Sequence, residues 1–380
     1  MKIGYLPGVF DLLHRGHVNI INKVIDLCDR IIIGIHTDEF VSKYKRYPIQ
    51  TQCERLEAMR EYFGSKIYAL EIVSSNHFEV IQKHGITHIF HGTDWELTSY
   101  KKQIRYYEDG LDKLNIFIEM MPYTEGISTT LILSNLESYQ NLDGILFDLD
   151  NTLLLNDMPT NEAVECVQFI QKHNIEIKVI TNNNNYTPKQ ISSKLYNVGI
   201  HINEEQICSP LKHIKLFLNA NIQYKNIYVW GSNNAIQYLR DDNNFNIIND
   251  MNAVDIFIIL YNAEFQYSDL SLLVTRIKKN KTPYVIGNID LTYPDKDVIL
   301  PDTGSIYNLI FNITNISPIL ICGKPHFSGM NIKPNKKYIV VGDNVSTDGK
   351  LAENLNVHFF HKTDLFDLGI LLKKLKIVMS

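Results

Sequence analysis

Short apolar runs rich in β-branched residues alternate along this chain with stretches whose apolar positions recur every three or four residues. In the first third, residues 3–6, 30–35, 67–73, 88–91 and 116–121 read as strands, and 18–27 and 53–63 as amphipathic helices. Strands alternating with helices predict right-handed βαβ crossovers and a mainly parallel sheet covered on both faces. A polar stretch over 134–141 interrupts this rhythm, and a new strand opens at 144–147. Beyond it the alternation resumes without repeating the first sequence. The pattern therefore predicts an α/β chain of two different tandem domains, 1–135 and 142–380, joined by a linker over 136–141.

Composition narrows the class. At 380 residues the chain is too long for one ordinary core, and 45% hydrophobic with 21% charged residues is a globular balance. A net charge of −5 gives no electrostatic footprint for nucleic acid, so no nucleic-acid partner is expected. Local basic runs, including Lys373, Lys374 and Lys376, read as solvated helix faces. Five widely spaced cysteines without a Cys-x-x-Cys pair argue against a zinc site and a disulfide framework, and a reducing cytoplasm is the expected compartment. The N-terminus shows no signal-peptide pattern, and no apolar run approaches the roughly 20 residues of a membrane span. No membrane insertion is expected.

The first concentration of chemistry is Gly8-Val9-Phe10-Asp11-Leu12-Leu13-His14-Arg15-Gly16-His17. An apolar strand runs there into a helix start with two histidines three residues apart, which places both imidazoles on one face of the first turn. Free N–H groups and the helix dipole favour a phosphate at that position. Downstream, in order, come Lys43, Lys45, Arg46 and Arg55, then Gly92-Thr93-Asp94-Trp95, then Thr124-Glu125-Gly126-Ile127-Ser128-Thr129-Thr130. Over 1–135 this series resembles the cytidylyltransferases of the glycerol-3-phosphate type. The resemblance implies a Rossmann-like nucleotidyltransferase domain that uses CTP with Mg²⁺ and associates as a homodimer through this domain. It makes His14 and His17 catalytic, Gly8, Val9, Phe10, Asp11, Lys43, Lys45, Arg55, Ser128 and Thr129 nucleotide-binding, and Asp94 and Trp95 substrate-facing. Two positions depart from the family: Tyr123 stands where an arginine usually precedes Thr-Glu-Gly, and Phe63 stands at the spacing of a later arginine, with Arg60 nearby.

The second concentration begins at Gly144-Ile145-Leu146-Phe147-Asp148-Leu149-Asp150-Asn151-Thr152, a buried-type strand ending in aspartates at i and i+2. Strand alternation directs both to one side, where carboxylates can hold Mg²⁺, attack phosphorus and handle protons. Three later segments complete a set. Residues 178–182 end a strand in Thr181 and Asn182, Cys322-Gly323-Lys324-Pro325 supplies a cation, and residues 339–344 with Asp348 end another strand in carboxylates. Together they resemble the haloacid dehalogenase superfamily, in particular its nitrophenylphosphatase and phosphoglycolate phosphatase group with a large cap. Residues 286–294 and 301–305 look like that group's segment before the lysine motif. The resemblance implies Asp148 as nucleophile, Asp150 as general acid/base, Lys324 as charge clamp, and Thr181 and Asn182 as phosphate binders. Asp148, Asp150, Asp343 and Asp348 would hold Mg²⁺, under an α/β cap inserted roughly within 208–300. Asn151 stands where the group usually has glycine.

These readings combine into a bifunctional enzyme for small-molecule phosphates. The first domain would join CTP to a small polyol phosphate, such as glycerol phosphate, giving a CDP-polyol precursor of a capsule or teichoic acid-like polymer, and the second would hydrolyse a phosphate monoester. Two alternatives stand beside it. Sugar-phosphate adenylyltransferases share His-x-Gly-His, and either domain could serve as a non-catalytic sensor or assembly module. An aminoacyl-tRNA synthetase is disfavoured by the lack of a Lys-Met-Ser-Lys-Ser-like loop. His84, His88 and His91 cluster in sequence but have no carboxylate at ligand spacing, and are not read as a metal site.

Overall fold

The computed structural model describes every residue except 242, 243, 296, 297, 327–331, 334, 365 and 380. The chain divides into two compact units, Met1–Asn135 and Leu136–Ser380.

In the first unit five parallel strands lie in the order Ala69–Val73, Arg30–His36, Ile3–Gly8, His88–Gly92, Phe117–Met121. The winding direction reverses at Ile3–Gly8, so the crevice beyond Gly8 and Gly92 is the topological switch point where such sheets bind ligands. Leu6, Ile33 and Ile35 pack on one face against Val18, Ile21 and Val24 of the helix Arg15–Leu27. Tyr5, Ile32 and Ile89 pack on the other against Ile81 and Tyr100. Burial on both faces is why these strands read as continuous apolar runs rather than alternating ones. The helix Gln52–Phe63 starts on a capping box, in which Thr51 Oγ1 accepts from Glu54 N and Glu54 Oε2 accepts from Thr51 N. That fixed start aims Arg55 inward.

The second unit holds two five-stranded parallel sheets. The core sheet runs Ile207–Cys208, Glu176–Ile180, Gly144–Asp148, Tyr338–Gly342, His358–His361. The cap sheet runs Asn246–Ile247, Asn226–Trp230, Ile256–Ile259, Tyr284–Ile286, Leu320–Ile321. The cap therefore extends past the 208–300 expected, because Leu320–Ile321 adds an edge strand to Tyr284–Ile286 and Ile310 of the helix Thr303–Thr314 packs against Tyr284. Residues 136–141, expected as a linker, belong to this unit: Leu136–Tyr139 form a 3₁₀ turn and the Tyr139 hydroxyl pairs with His358 Nε2 at 2.9 Å. Lys374 is not solvated. It is buried with its ammonium 5.1 Å from the Tyr139 ring centroid, and burial lowers its pKa to about 8. Among the described residues no helix is long and apolar enough to cross a membrane.

Candidate functional site

His14 is the N-cap residue of Arg15–Leu27, and His17 lies in its first turn. Their rings stack with centroids 3.8 Å apart and planes inclined by 21°, and Phe10 meets His17 edge-on at 5.4 Å. The glycine between them keeps a crowded spot free of a side chain. A Cβ on Gly16 would fall 3.0 Å from the His14 ring and 3.3 Å from Ile127 Cγ2. Ile127 belongs to the Glu-Gly-Ile-Ser-Thr-Thr segment, so the two signatures, distant in sequence, form one wall. Thr129 Oγ1 donates to Asp11 O at 3.2 Å and Asn19 Nδ2 to Thr124 Oγ1 at 3.4 Å, which ties them further.

Several residues expected to grip the nucleotide instead shape the loop that would. Asp11 is buried, and its carboxylate accepts from Ile49 N, Gln50 N and Arg46 at 3.0–3.1 Å. These bonds hold Phe10 and Leu12 at positive φ of 54° and 53°, conformations that disfavour non-glycine residues. Arg55 is fully buried as well. It donates to Gln50 O at 3.1 Å, Val9 O at 2.5 Å, His36 O at 2.8 Å and Asp38 Oδ1 at 2.5 Å, so four of its five N–H donors go to chain carbonyls and one carboxylate. Strand ends leave such carbonyls without ladder partners, and a buried one must find a donor. Ser128 caps the turn Thr129–Leu133 by accepting from Leu131 N. Gly8 ends the strand Ile3–Gly8, and Val9 opens the shaped loop. Lys43 and Lys45 are exposed just after the helix Asp38–Ser42, Lys43 3.2 Å from Glu39. Asp94 is exposed, and Trp95 is half-buried against His91 with centroids 5.9 Å apart. Tyr123, at the family's arginine position, donates its hydroxyl to Ile127 O at 2.9 Å.

One feature of this edge has no sequence signal beyond a histidine at a strand end. His36 Nδ1 pairs with the Tyr44 hydroxyl at 2.8 Å, His77 Nδ1 pairs with the Tyr5 hydroxyl at 2.9 Å, and the two imidazoles lie 5.7 Å apart. Burial lowers the pKa of His77 to about 4 and that of His36 well below the usual range, with His77 and Arg55 adding to the effect on His36. Both rings are thus neutral at pH 7. Among the described residues, their Nε2 atoms and the Tyr100 hydroxyl have no hydrogen-bond partner although they are buried.

In the second unit the strand Gly144–Asp148 delivers Asp148 at its carboxyl end, and the adjacent strand Tyr338–Gly342 is followed by Asp343 and Asp348. Oxygens of Asp148, Asp343 and Asp348 lie within 4.8 Å of one another. The Lys324 ammonium, itself buried, bonds Asp148 Oδ1 and lies 2.7 Å from Asp348 Oδ1. Burial raises the Asp148 carboxyl, with Lys324 opposing and Asp348 assisting the shift. Burial lowers the Lys324 ammonium, but Asp148 and Asp348 outweigh it and raise its pKa. Three clustered hard oxygen donors fit Mg²⁺, which takes carboxylates and keeps water ligands.

Asp150 is not part of that group. The strand stops at Asp148, Asn151 turns the chain at φ 58°, and Asp150 stands exposed where alternation no longer applies. The positive φ also explains how Asn replaces the family's glycine, since its short amide tolerates that region. Thr181 is fully buried, with its oxygen accepting from Asn183 N at 3.0 Å and its own proton still available to donate. Asn182, expected to bind phosphate, is engaged elsewhere: Oδ1 accepts from Lys324 N at 2.6 Å, and Nδ2 donates to Asp290 Oδ2 at 2.9 Å and Lys324 O at 3.3 Å. Asn184 accepts from Tyr261 N at 2.8 Å and donates to Thr303 at 3.1 Å, and Asn288 Nδ2 donates to Asn182 O at 2.8 Å. The asparagine run is thus the seam between core and cap.

Residues 5–135 match the cytidylyltransferase-like family model, and residues 145–244 match the haloacid dehalogenase-like hydrolase model. The chain carries a cytidylyltransferase-like domain and a haloacid dehalogenase-type phosphatase domain. It is 25% identical over 228 residues to the acid sugar phosphatase of Staphylococcus haemolyticus, spanning 58% of this chain and 85% of that one. It is 30% identical over 145 residues to the ethanolamine-phosphate cytidylyltransferase of Dictyostelium discoideum, spanning 37% of this chain and 39% of that one. The crystal structure of a 4-nitrophenylphosphatase from Thermotoga maritima superposes with a TM-score of 0.57 at 20% identity, over 63% of this chain and 99% of its own, a likeness of fold.

Proposed function

We propose that the chain is a bifunctional enzyme: its first unit transfers a cytidylyl group from CTP to a small polyol phosphate, and its second hydrolyses a small phosphate monoester. The observation that carries this reading is that each unit gathers its own cluster of reactive side chains, stacked His14 and His17 in one and Asp148, Lys324 and Asp348 in the other.

In the first reaction an oxygen of the acceptor phosphate attacks the α-phosphorus of CTP, and the bond to pyrophosphate breaks. The protein's part is positioning and charge stabilisation. His14 and His17 donate N–H groups to oxygens that gain charge as pyrophosphate leaves, and Lys43 and Lys45 contribute mobile cations at the rim. The neutral His36, His77 and Tyr100 atoms supply hydrogen bonds for hydroxyls at the uncharged polyol end of the acceptor. Burial without a countercharge disfavours an ammonium there.

In the second reaction Asp148 attacks phosphorus and forms an aspartyl-phosphate, while Asp150 protonates the departing alkoxide. Asp150 then takes a proton from the water that releases phosphate. Lys324 balances charge at Asp148, and Thr181 donates its hydroxyl proton to a phosphate oxygen. Mg²⁺ held by Asp148, Asp343 and Asp348 would offset phosphate charge when bound. The test is direct: pyrophosphate release from CTP with glycerol phosphate against phosphoethanolamine, and phosphate release from nitrophenyl phosphate. Faster pyrophosphate release with phosphoethanolamine overturns the polyol reading, and no phosphate release overturns the hydrolase reading.

A further inference from the structure

Lys324 must hold its ammonium between two buried carboxylates, and its side chain is only as well placed as its backbone. The backbone is clasped by one amide. Asn182 Oδ1 accepts from Lys324 N at 2.6 Å while Asn182 Nδ2 donates to Lys324 O at 3.3 Å. The clasp is close enough to dictate the preceding residue: Gly323 has φ +74°, and a Cβ there would lie 2.6 Å from Asn182 Oδ1. An amide can occupy this space in two orientations, and only one works. Turned over, Nδ2 would face the Lys324 N–H, donor against donor.

The choice is made by a residue of the cap. Asp290 Oδ2 accepts from Asn182 Nδ2 at 2.9 Å, which locks the amide with its oxygen toward Lys324. Asp290 is itself held, its N–H donating to Asn288 Oδ1 at 3.2 Å, while Asn288 Nδ2 donates to Asn182 O and to Asp302 Oδ2 at 2.8 and 3.3 Å. Asn288 and Asp302 are both buried. We infer that Asp290 is a positioning residue for the phosphatase centre, acting from the cap through Asn182 on Lys324, so that seating of the cap completes the charge clamp. The inference rests on the phosphatase reading above.

Such a residue acts on the chemical step and not on the leaving group. With the full chain and nitrophenyl phosphate, Asp290→Ala is expected to lower kcat by about tenfold or more while KM stays within about twofold. A second substrate with an unrelated leaving group should lose the same factor. Asp290→Asn keeps an acceptor oxygen and should recover most of the rate. Asn182→Ala should lower kcat similarly, and the double alanine variant should be no worse than Asn182→Ala alone, since both break one relay. Should an alanine variant fail to fold, Asn182→Asp tests the same bond by facing two carboxylates. Combining it with Asp290→Asn restores a donor–acceptor pair in reverse, and activity should return. Multiplicative losses in the double alanine variant, a KM rise at constant kcat, a leaving-group-dependent factor, or no recovery in the reversed pair overturns the positioning role. Absence of turnover in the wild type overturns the phosphatase reading itself, which distinguishes the two failures.

Discussion

Replacing His77 with glutamine isolates a buried imidazole whose neutrality has a measurable cost. His77 is 1% exposed, and burial lowers its pKa from 6.5 to about 4. The sign follows from proton uptake. Below pH 6.5 the unfolded chain binds a proton at this site that the folded chain refuses, so the stabilising contribution is complete above 6.5 and is lost as pH falls toward 4. Between about pH 7.5 and pH 5.0 the loss comes to about 2 kcal/mol, at about 1.4 kcal/mol per decade of proton affinity. Glutamine retains a group able to hydrogen-bond the Tyr5 hydroxyl but does not titrate. Urea unfolding of the full chain, followed by Trp95 fluorescence in a Trp230→Phe background, reports on the first unit alone, because the chain has two tryptophans. The stability difference between wild type and His77→Gln should shift by about 2 kcal/mol in favour of the variant on acidification. A difference that is the same at both pH values refutes a buried neutral His77.

Asp148→Asn should keep the fold and cytidylyl transfer while abolishing phosphatase turnover, because an amide is no nucleophile; phosphate trapped by the wild type on another residue rejects the assignment. Arg55→Ala should destabilise the first unit by about 3 kcal/mol or more, since it strands buried acceptors, and denaturant titration checks it; an intact fold with only a higher KM for CTP would return Arg55 to ligand binding. Gly16→Ala should depress nucleotidyl transfer far more than phosphatase activity, because the added methyl displaces the His14 ring or Ile127; equal losses count against that packing. CTP should be used faster than ATP at equal concentration in initial-rate assays, and the reverse order promotes the adenylyltransferase alternative.

Periodicity made most strands and two of the first unit's helices legible, with ends shifted by up to three residues: the helix read from 18 begins at Arg15, which makes His14 a cap. Motif spacing located the reacting residues but not the partners of their neighbours. Asp11, Arg55 and Asn182 have the chemistry of ligand binders, yet strand-end carbonyls and loop N–H groups claim them first. That competition depends on which chain segments meet, and one sequence does not display it. Strand alternation does not reach Asp150, because the strand ends two residues earlier at Asp148. The cap's last strand has two residues, Leu320–Ile321, too short to carry a pattern. His36 and His77 are far apart in sequence and ordinary in isolation, and only the fold brings them together.

The central claim is that one chain holds two independent reactions. Wild type, His17→Ala and Asp148→Asn are incubated with CTP, Mg²⁺ and a panel of polyol phosphates, and pyrophosphate, free phosphate and CDP-products are followed separately. The account predicts pyrophosphate and a CDP-polyol in equal amounts from wild type and Asp148→Asn, and phosphate release from wild type and His17→Ala. Loss of both activities in either folded variant, or no CDP-product with any acceptor, would contradict it.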